Sequence, residues 1–239
     1  MSSPPNHPLP RSGAERGELE RWDTIGFLQR ELEAIYVVEA PRVEEFLVGS
    51  EGARAAGHAP RAPEELLVLE EEDGVALGLY LAPAVVAGAA GADPDDRRPR
   101  LTARVALRDV ACAAEGVSHF VYLATRAAAG QAVSLLELEV QAEVDKFALL
   151  VLHLWRRGLR RMSPALRRRL FERVRYHGWL GVEERARYAE ANRLGHGYAR
   201  WLEERFVEDA DIDGMLRELR RTYRRGGGEK LAYLGRRLQ

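Results

Sequence analysis

The sequence predicts an α+β protein, in which a small antiparallel sheet of two β-hairpins packs with N-terminal helices and precedes an all-helical basic C-terminal half. Two observations predict the sheet. Asp73-Gly74 is a favoured two-residue turn between the apolar runs of residues 65–83, and apolar side chains alternate over residues 117–141. One observation predicts the helices, because apolar residues recur at steps of three and four after residue 142.

The elements before and between the hairpins follow from spacing and from turn residues. Apolar residues three and four positions apart predict an amphipathic helix over residues 24–39. Pro41 suits the first turn of a second helix, and the Gly, Ala and Pro residues of 50–64 predict a loop. Residues 101–116 read as a helix that Gly116 ends.

These elements predict three regions along the chain. Residues 1–20 are rich in proline and serine and are expected to form a disordered tail. Residues 21–157 form the α+β domain with both hairpins, and residues 158–239 form a helical region that packs on that domain or extends it. The single cysteine, Cys112, excludes an internal disulfide and suits the cytoplasm. No apolar run is long enough to predict a membrane span.

Charge is distributed unevenly along the chain. Residues 1–150 hold 14 Lys and Arg against 25 Asp and Glu, whereas residues 151–239 hold 22 against 12. This asymmetry predicts either attraction between the halves or an acidic partner for the second half. The chain has 34 arginines and only two lysines, Lys146 and Lys230. Such a ratio is typical of a GC-rich bacterial genome, so arginine abundance by itself is weak evidence for nucleic-acid binding.

On the second predicted hairpin, apolar side chains occupy even-numbered positions of both strands. Cross-strand partners share a face, so the loop must hold an odd number of residues, and Gly130 can supply a positive φ there. This register predicts a buried face made of Phe120, Tyr122, Leu136, Leu138 and Val140. It predicts a shared polar face made of His119, Glu137 and Glu139.

The helix after this hairpin extends the polar face. Glu143, Lys146 and His153 lie three or seven positions apart, so they form one stripe. Imidazole, carboxylate and ammonium groups together suggest acid–base chemistry or a divalent metal as cofactor. The predicted catalytic residues are His119, Glu139 and Lys146. The predicted metal ligands, whose donors suit zinc, manganese or iron, are His119, Glu137, Glu139 and Glu143.

A structural interpretation of the same residues stays open. An antiparallel sheet commonly turns one face to solvent, and its polar residues then need no further role. In that case Lys146 should pair with Glu143 or Asp145, and His119 should hydrogen-bond to a neighbour.

A second candidate site is the run Asp209, Asp211, Asp213 and Gly214, which matches the start of an EF-hand calcium loop. The twelfth position of such a loop supplies a bidentate carboxylate, but here it is Arg220. The alternative is an acidic run at the N-terminus of a helix, where negative charge is favourable.

The basic C-terminal half is a third candidate. Arginines and interleaved aromatic residues could bind phosphates and stacked bases, and the predicted nucleic-acid-binding residues are Arg160, Arg161, Arg167 and Arg168. The alternative places the aromatic residues in the core, since Tyr198, Trp201, Leu202 and Phe206 follow helical spacing.

No complete catalytic motif is present in the sequence. It lacks G-x-x-x-x-G-K-[ST], G-x-G-x-x-G, H-E-x-x-H, C-x-x-C and G-x-S-x-G. The leading hypothesis is therefore a cytoplasmic interaction or regulatory protein with a protein partner. The alternatives are a metal-dependent hydrolase or nuclease that uses the His/Glu patch, and a nucleic-acid-binding protein that uses the arginines.

Overall fold

The computed structural model describes most of the chain: residues 7–8, 23–71, 74–90, 104–174 and 176–238. The predicted disordered tail lies outside the described residues except for His7 and Pro8. Asp73 of the first predicted turn also lies outside them.

The chain divides into two compact units. The first comprises Met1–Glu33 and Glu39–Gly130, and the second comprises Ala34–Val38 and Gln131–Gln239. The boundary near residue 130 assigns the helix of residues 135–156 to the second unit, whereas the boundary predicted at residue 157 assigns it to the first.

A mixed sheet forms around one central strand in the first unit. Its strands are β1 (His7–Pro8), β2 (Leu47–Val48), β3 (Glu64–Glu71) and β4 (Gly74–Leu81). β3 pairs with β4 in antiparallel register along its whole length, which confirms the first predicted hairpin, although Gly74 was predicted in the turn and instead begins β4, where it pairs with Glu71. β1 and β2 pair in parallel with β4, at Ala76–Leu77 and at Leu79–Tyr80. They therefore occupy successive parts of its other edge, and the prediction of a wholly antiparallel sheet is wrong.

Within the described residues, four helices accompany this sheet along the chain. They are α1 (Asp23–Tyr36), α2 (Ser50–Ala55), α3 (Pro83–Ala90) and α4 (Arg104–Ala128). The predicted first helix is confirmed, and its last residues belong to the second unit. The helix predicted from Pro41 is wrong, because a 3-10 turn at Val43–Glu45 leads directly into β2. Residues 50–64 were predicted to form a loop, but their first six residues form helix α2.

Helix α4 packs against β3 and β4. Gly116 does not end this helix but lies inside it, where a Cβ atom would come 3.1 Å from side-chain atoms of Glu64, Leu79 and Leu81. The glycine therefore allows the helix to approach the sheet closely. Phe120, one turn later, contacts Phe46 with ring centroids 4.9 Å apart.

The second predicted hairpin is wrong, because residues 117–141 form a helix, a turn and the start of another helix. α4 continues to Ala128, and α5 (Leu135–Arg156) follows. Short alternating runs also fit a helical period, and the alanine-rich chain before them favours a helix. The positive φ predicted for Gly130 is present at 66°, but it follows α4 rather than closing a hairpin.

The predicted strand register fails with the hairpin. The register placed His119 on the face opposite Phe120 and Tyr122. In the structure all three residues lie on helix α4 and are buried. The shared polar face predicted from the strand register is therefore wrong.

The second unit is helical, as predicted for the C-terminal half. After α5 come α6 (Ser163–Phe171), α7 (Val182–Leu202), α8 (Ile212–Arg224) and α9 (Gly227–Gly235). A 3-10 helix at Arg160–Met162 precedes α6, and a π-helix at Glu203–Val207 follows α7. α5 packs against α6, α7 and α9. Among the helices of the described ranges, none combines the length and apolarity that crossing a bilayer requires.

Candidate functional site

His119 lies on α4 of the first unit, with its side chain buried. Its Nδ1 atom is 3.6 Å from Oε2 of Glu64, which stands at the start of β3. Glu115 precedes His119 by one helical turn and therefore lies on the same face of α4. The histidine was predicted from the sequence, but neither carboxylate was, because Glu64 is distant along the chain and the strand predicted at His119 obscured its helical spacing from Glu115.

The other residues of the predicted His/Glu patch lie on α5 of the second unit. Glu139, Glu143 and Lys146 are four and three positions apart, so they share one face of the helix. Glu137 is two positions before Glu139 and points away from that face. Its backbone N–H donates to Oγ of Ser134 at 3.2 Å, and this hydrogen bond caps the N-terminus of α5.

Each carboxylate on this α5 face lies near a cation. Oε2 of Glu143 is 3.1 Å from Nζ of Lys146, and Oε1 of Glu139 is 3.8 Å from Nε of Arg187 on α7. The Glu143–Lys146 pair confirms the contact expected from the structural interpretation. Arg187 was missed, because its distance along the chain gives no sign that α5 and α7 pack together.

The α5 face approaches α7 closely at Glu143. A Cβ atom on Gly195 would lie 2.6 Å from Cβ of Glu143, so the glycine makes room for this carboxylate. Tyr176 lies near the same pair: burial and then the charge of Glu143 raise its pKa, and Lys146 partly opposes them. The face is thus a compact polar cluster with compensated charges.

A second polar network lies deeper in this unit. Gln141, on another face of α5, donates from Nε2 to Oδ1 of Asp145 at 2.7 Å and to the hydroxyl of Tyr36 at 3.1 Å. The Tyr36 hydroxyl donates to the same Asp145 oxygen, and Nζ of Lys230 donates to Oε1 of Gln141. All four side chains are buried.

Electrostatics fix the direction of the Tyr36 hydrogen bond. Burial, and then the nearby Asp145 carboxylate, raise the pKa of Tyr36 well above its usual value, so its phenol remains protonated and can donate. Its ring stacks on Tyr223, with centroids 4.0 Å apart. Lys230 is one of only two lysines in the chain, and no sequence pattern predicted its partner.

The predicted nucleic-acid-binding arginines divide into two groups. Arg160, Arg161 and Arg168 are exposed on the 3-10 helix and on α6. Arg167 points inward instead, donating from Nε to Glu203 at 2.8 Å and lying 2.7 Å from Nε2 of His196. These contacts hold its guanidinium group within the unit.

The aromatic residues of this unit also divide. Tyr198 and Leu202 are buried, which confirms the core interpretation for them, and the Tyr198 hydroxyl lies 2.8 Å from Oγ1 of Thr222. Trp179 is different: 46% of its surface is exposed, and its ring stacks on His177 with centroids 5.3 Å apart.

The acidic run at residues 209–214 begins a helix. Asp211 caps α8 by accepting the backbone N–H of Gly214 at 2.8 Å. Asp213 lies in the first turn of that helix, where a negative charge is favourable. The alternative interpretation, an acidic run at the N-terminus of a helix, therefore accounts for Asp211 and Asp213.

No protein-family model, curated protein or solved structure matches this chain.

Proposed function

We propose that the chain is an interaction protein that binds nucleic acid through an arginine surface on its second unit. This surface consists of Arg160, Arg161 and Arg168, which are exposed on consecutive helical segments. The observation that carries the proposal is the charge of the surrounding segment: residues 156–171 contain no aspartate or glutamate and seven arginines, of which Arg167 points inward. A regular phosphate backbone is the partner that complements such a surface.

The arrangement of the arginine surface suits phosphate contacts. Arg161 and Arg168 are seven positions apart in a continuous helical stretch, about two turns, so they project toward one side. Arg160 lies over the ring of Trp155, with Cζ 5.5 Å from the centroid. A guanidinium group offers paired donors to phosphate oxygens, which an ammonium group does not.

The test compares two double variants that lose the same charge. Arg161→Gln with Arg168→Gln removes the proposed contacts. Arg193→Gln with Arg200→Gln removes two exposed arginines that already pair with Glu190 and Glu204, at 2.6 and 2.7 Å. Binding of fluorescent RNA and DNA oligonucleotides is measured by anisotropy at about 50 mM salt.

We expect wild type and the Arg193/Arg200 variant to bind and the Arg161/Arg168 variant to bind at least about tenfold more weakly, since contacts to phosphate supply most of the nonspecific affinity. An equal loss of affinity in both variants would show that binding depends on net charge and not on this surface. Absence of binding by wild type at this salt concentration would remove the proposal.

A second candidate, a metal-dependent hydrolase or nuclease, is favoured by one observation in the first unit. The buried imidazole of His119 lies beside the carboxylate of Glu64, and nitrogen and oxygen donors of this kind suit zinc, manganese or iron. On α5, by contrast, Glu139 and Glu143 already lie near Arg187 and Lys146. A metal there would have to compete with these cations.

Metal content decides this second candidate. Protein purified without a histidine tag is analysed for bound metal, for wild type, His119→Ala and a control, His177→Ala, whose histidine is exposed. The candidate predicts stoichiometric metal that only His119→Ala loses. Metal-free wild type that gains no thermal stability from added zinc or manganese would exclude it, because a ligand that binds only the folded state must stabilise that state.

A further inference from the structure

An exposed pair of stacked rings lies in the connection between α6 and α7. His177 and Trp179 are nearly parallel, with an interplanar angle of 15°. Both residues are exposed, although tryptophan is a side chain that proteins usually bury to a large extent. A flat aromatic surface is therefore presented to solvent.

Hydrogen bonds hold the part of this connection from His177 onward in shape. The backbone N–H of Leu180 donates to the carbonyl of His177 at 3.3 Å, and Nη2 of Arg185 donates to the same carbonyl at 3.4 Å. Glu184 then accepts the backbone N–H of Gly181 at 2.9 Å, at the start of α7. The ring pair is thus part of an ordered turn.

Exposed charges of both signs border this turn along the chain, Glu172 and Glu183 as well as Arg173 and Arg185. Arg168 of the arginine surface, near the end of α6, and exposed Arg173 precede the turn along the chain. Exposed Arg185 lies at its other side. A flat aromatic group bordered by guanidinium groups can bind a base by stacking while the arginines bind its phosphates.

We propose that Trp179, supported by His177, stacks on an unpaired base and makes the protein selective for single-stranded nucleic acid. The inference rests on the proposed function, because it assumes that the arginine surface binds phosphates. In a duplex both faces of each base are already covered by neighbouring bases, so a duplex cannot satisfy the stacking contact without being opened. Selectivity then depends on the ring, and the salt dependence depends on the arginines.

The experiment separates these two contributions with four probes of equal length. They are oligo-dT, oligo-U, a mixed-sequence duplex and an abasic strand, which keeps its phosphates but has no bases. Wild type, Trp179→Ala and Trp179→Phe are compared at one low salt concentration. Thermal unfolding of each variant is measured in parallel, and an exposed ring should change it little.

We expect wild type to bind oligo-dT or oligo-U more tightly than the duplex and the abasic strand. Trp179→Ala should weaken binding of the single strand by about tenfold or more and leave the abasic strand unaffected, and Trp179→Phe should restore most of the loss. The difference between oligo-dT and oligo-U shows whether the preferred strand is DNA or RNA.

Three results would overturn the inference. If oligo-dT, oligo-U and the abasic strand bind equally and Trp179→Ala changes nothing, the arginine surface binds phosphates but the ring does not stack, and the proposed function survives. If no probe binds wild type, both proposals fail. If Trp179→Ala instead abolishes self-association measured by sedimentation, without changing selectivity for any probe, the ring pair is a contact between copies of the chain.

Discussion

The ammonium group of Lys230 donates a hydrogen bond to the side-chain amide oxygen of Gln141, and the lysine is completely buried. Burial of a lysine is costly unless polar partners replace water. Gln141 is itself held by Tyr36 and Asp145, so the lysine joins a connected network that links α9 to α5. One of the two lysines in the chain is thus part of the buried core of the second unit.

Replacing Lys230 should test the contribution of this network. Lys230→Met keeps the approximate length of the side chain but leaves the amide oxygen of Gln141 without this donor. We expect the free energy of unfolding to fall by about 1–3 kcal/mol, the usual cost of removing one partner of a buried hydrogen bond. Urea denaturation measures the change, and exposed Arg193→Met should cost less than about 0.5 kcal/mol. Equal stability of wild type and Lys230→Met would contradict this role.

The close approach of α5 and α7 gives a second prediction. Gly195→Ala places a Cβ atom 2.6 Å from Cβ of Glu143, which should shift the helices apart and cost about 1–3 kcal/mol, less any gain in helix propensity. Gly235→Ala is the matched control, because a Cβ atom there meets nothing within 4 Å. Thermal unfolding should show a lower midpoint for the first variant alone. A higher midpoint for Gly195→Ala would contradict the packing of α7 against Glu143.

Sequence reasoning predicted the elements whose signals are local. The β3–β4 hairpin, with its Asp73-Gly74 turn signal, and the helices of the second unit belong to this class. The error at residues 117–141 arose because short alternating runs fit both a strand and a helix. The sequence Ser134-x-x-Glu137 is a helix-start pattern that could have corrected it.

The candidate site was only partly predictable for a different reason. Lys146 and Glu143 are three positions apart, so their ion pair could be expected from the sequence. The contacts of Glu139 with Arg187, of His119 with Glu64 and of Gln141 with Lys230 join distant parts of the chain. Only the packing of helices and strands brings these residues together, and no local sequence pattern predicts that packing.

His196 predicts how stability changes with pH. Burial lowers its pKa, and the charge of Arg167 lowers it further, outweighing Glu172 and Glu203, which raise it. The unfolded chain, with a histidine pKa of about 6.5, therefore binds a proton that the folded state rejects. Stability should be fully present above that pH and should decline as the pH falls toward the lower pKa of the folded state.

The variant His196→Gln isolates this effect, because glutamine can still accept a hydrogen bond from Arg167 but does not titrate. Urea denaturation at several pH values between about 7.5 and 5.5 should show a smaller loss of stability for the variant than for wild type. Parallel curves for the two proteins would show that the histidine does not cause the decline.

The arginine surface is tested most directly by the salt dependence of binding to a single-stranded oligonucleotide. For wild type, the logarithm of the association constant should fall linearly with the logarithm of salt concentration between about 50 and 200 mM, because bound arginines release counterions from phosphates. The slope should become shallower by about 0.7 for each arginine removed, so Arg161→Gln with Arg168→Gln should flatten it and Arg193→Gln with Arg200→Gln should not. A wild-type slope near zero, or one that the Arg161/Arg168 variant leaves unchanged, would contradict nucleic-acid binding through this surface.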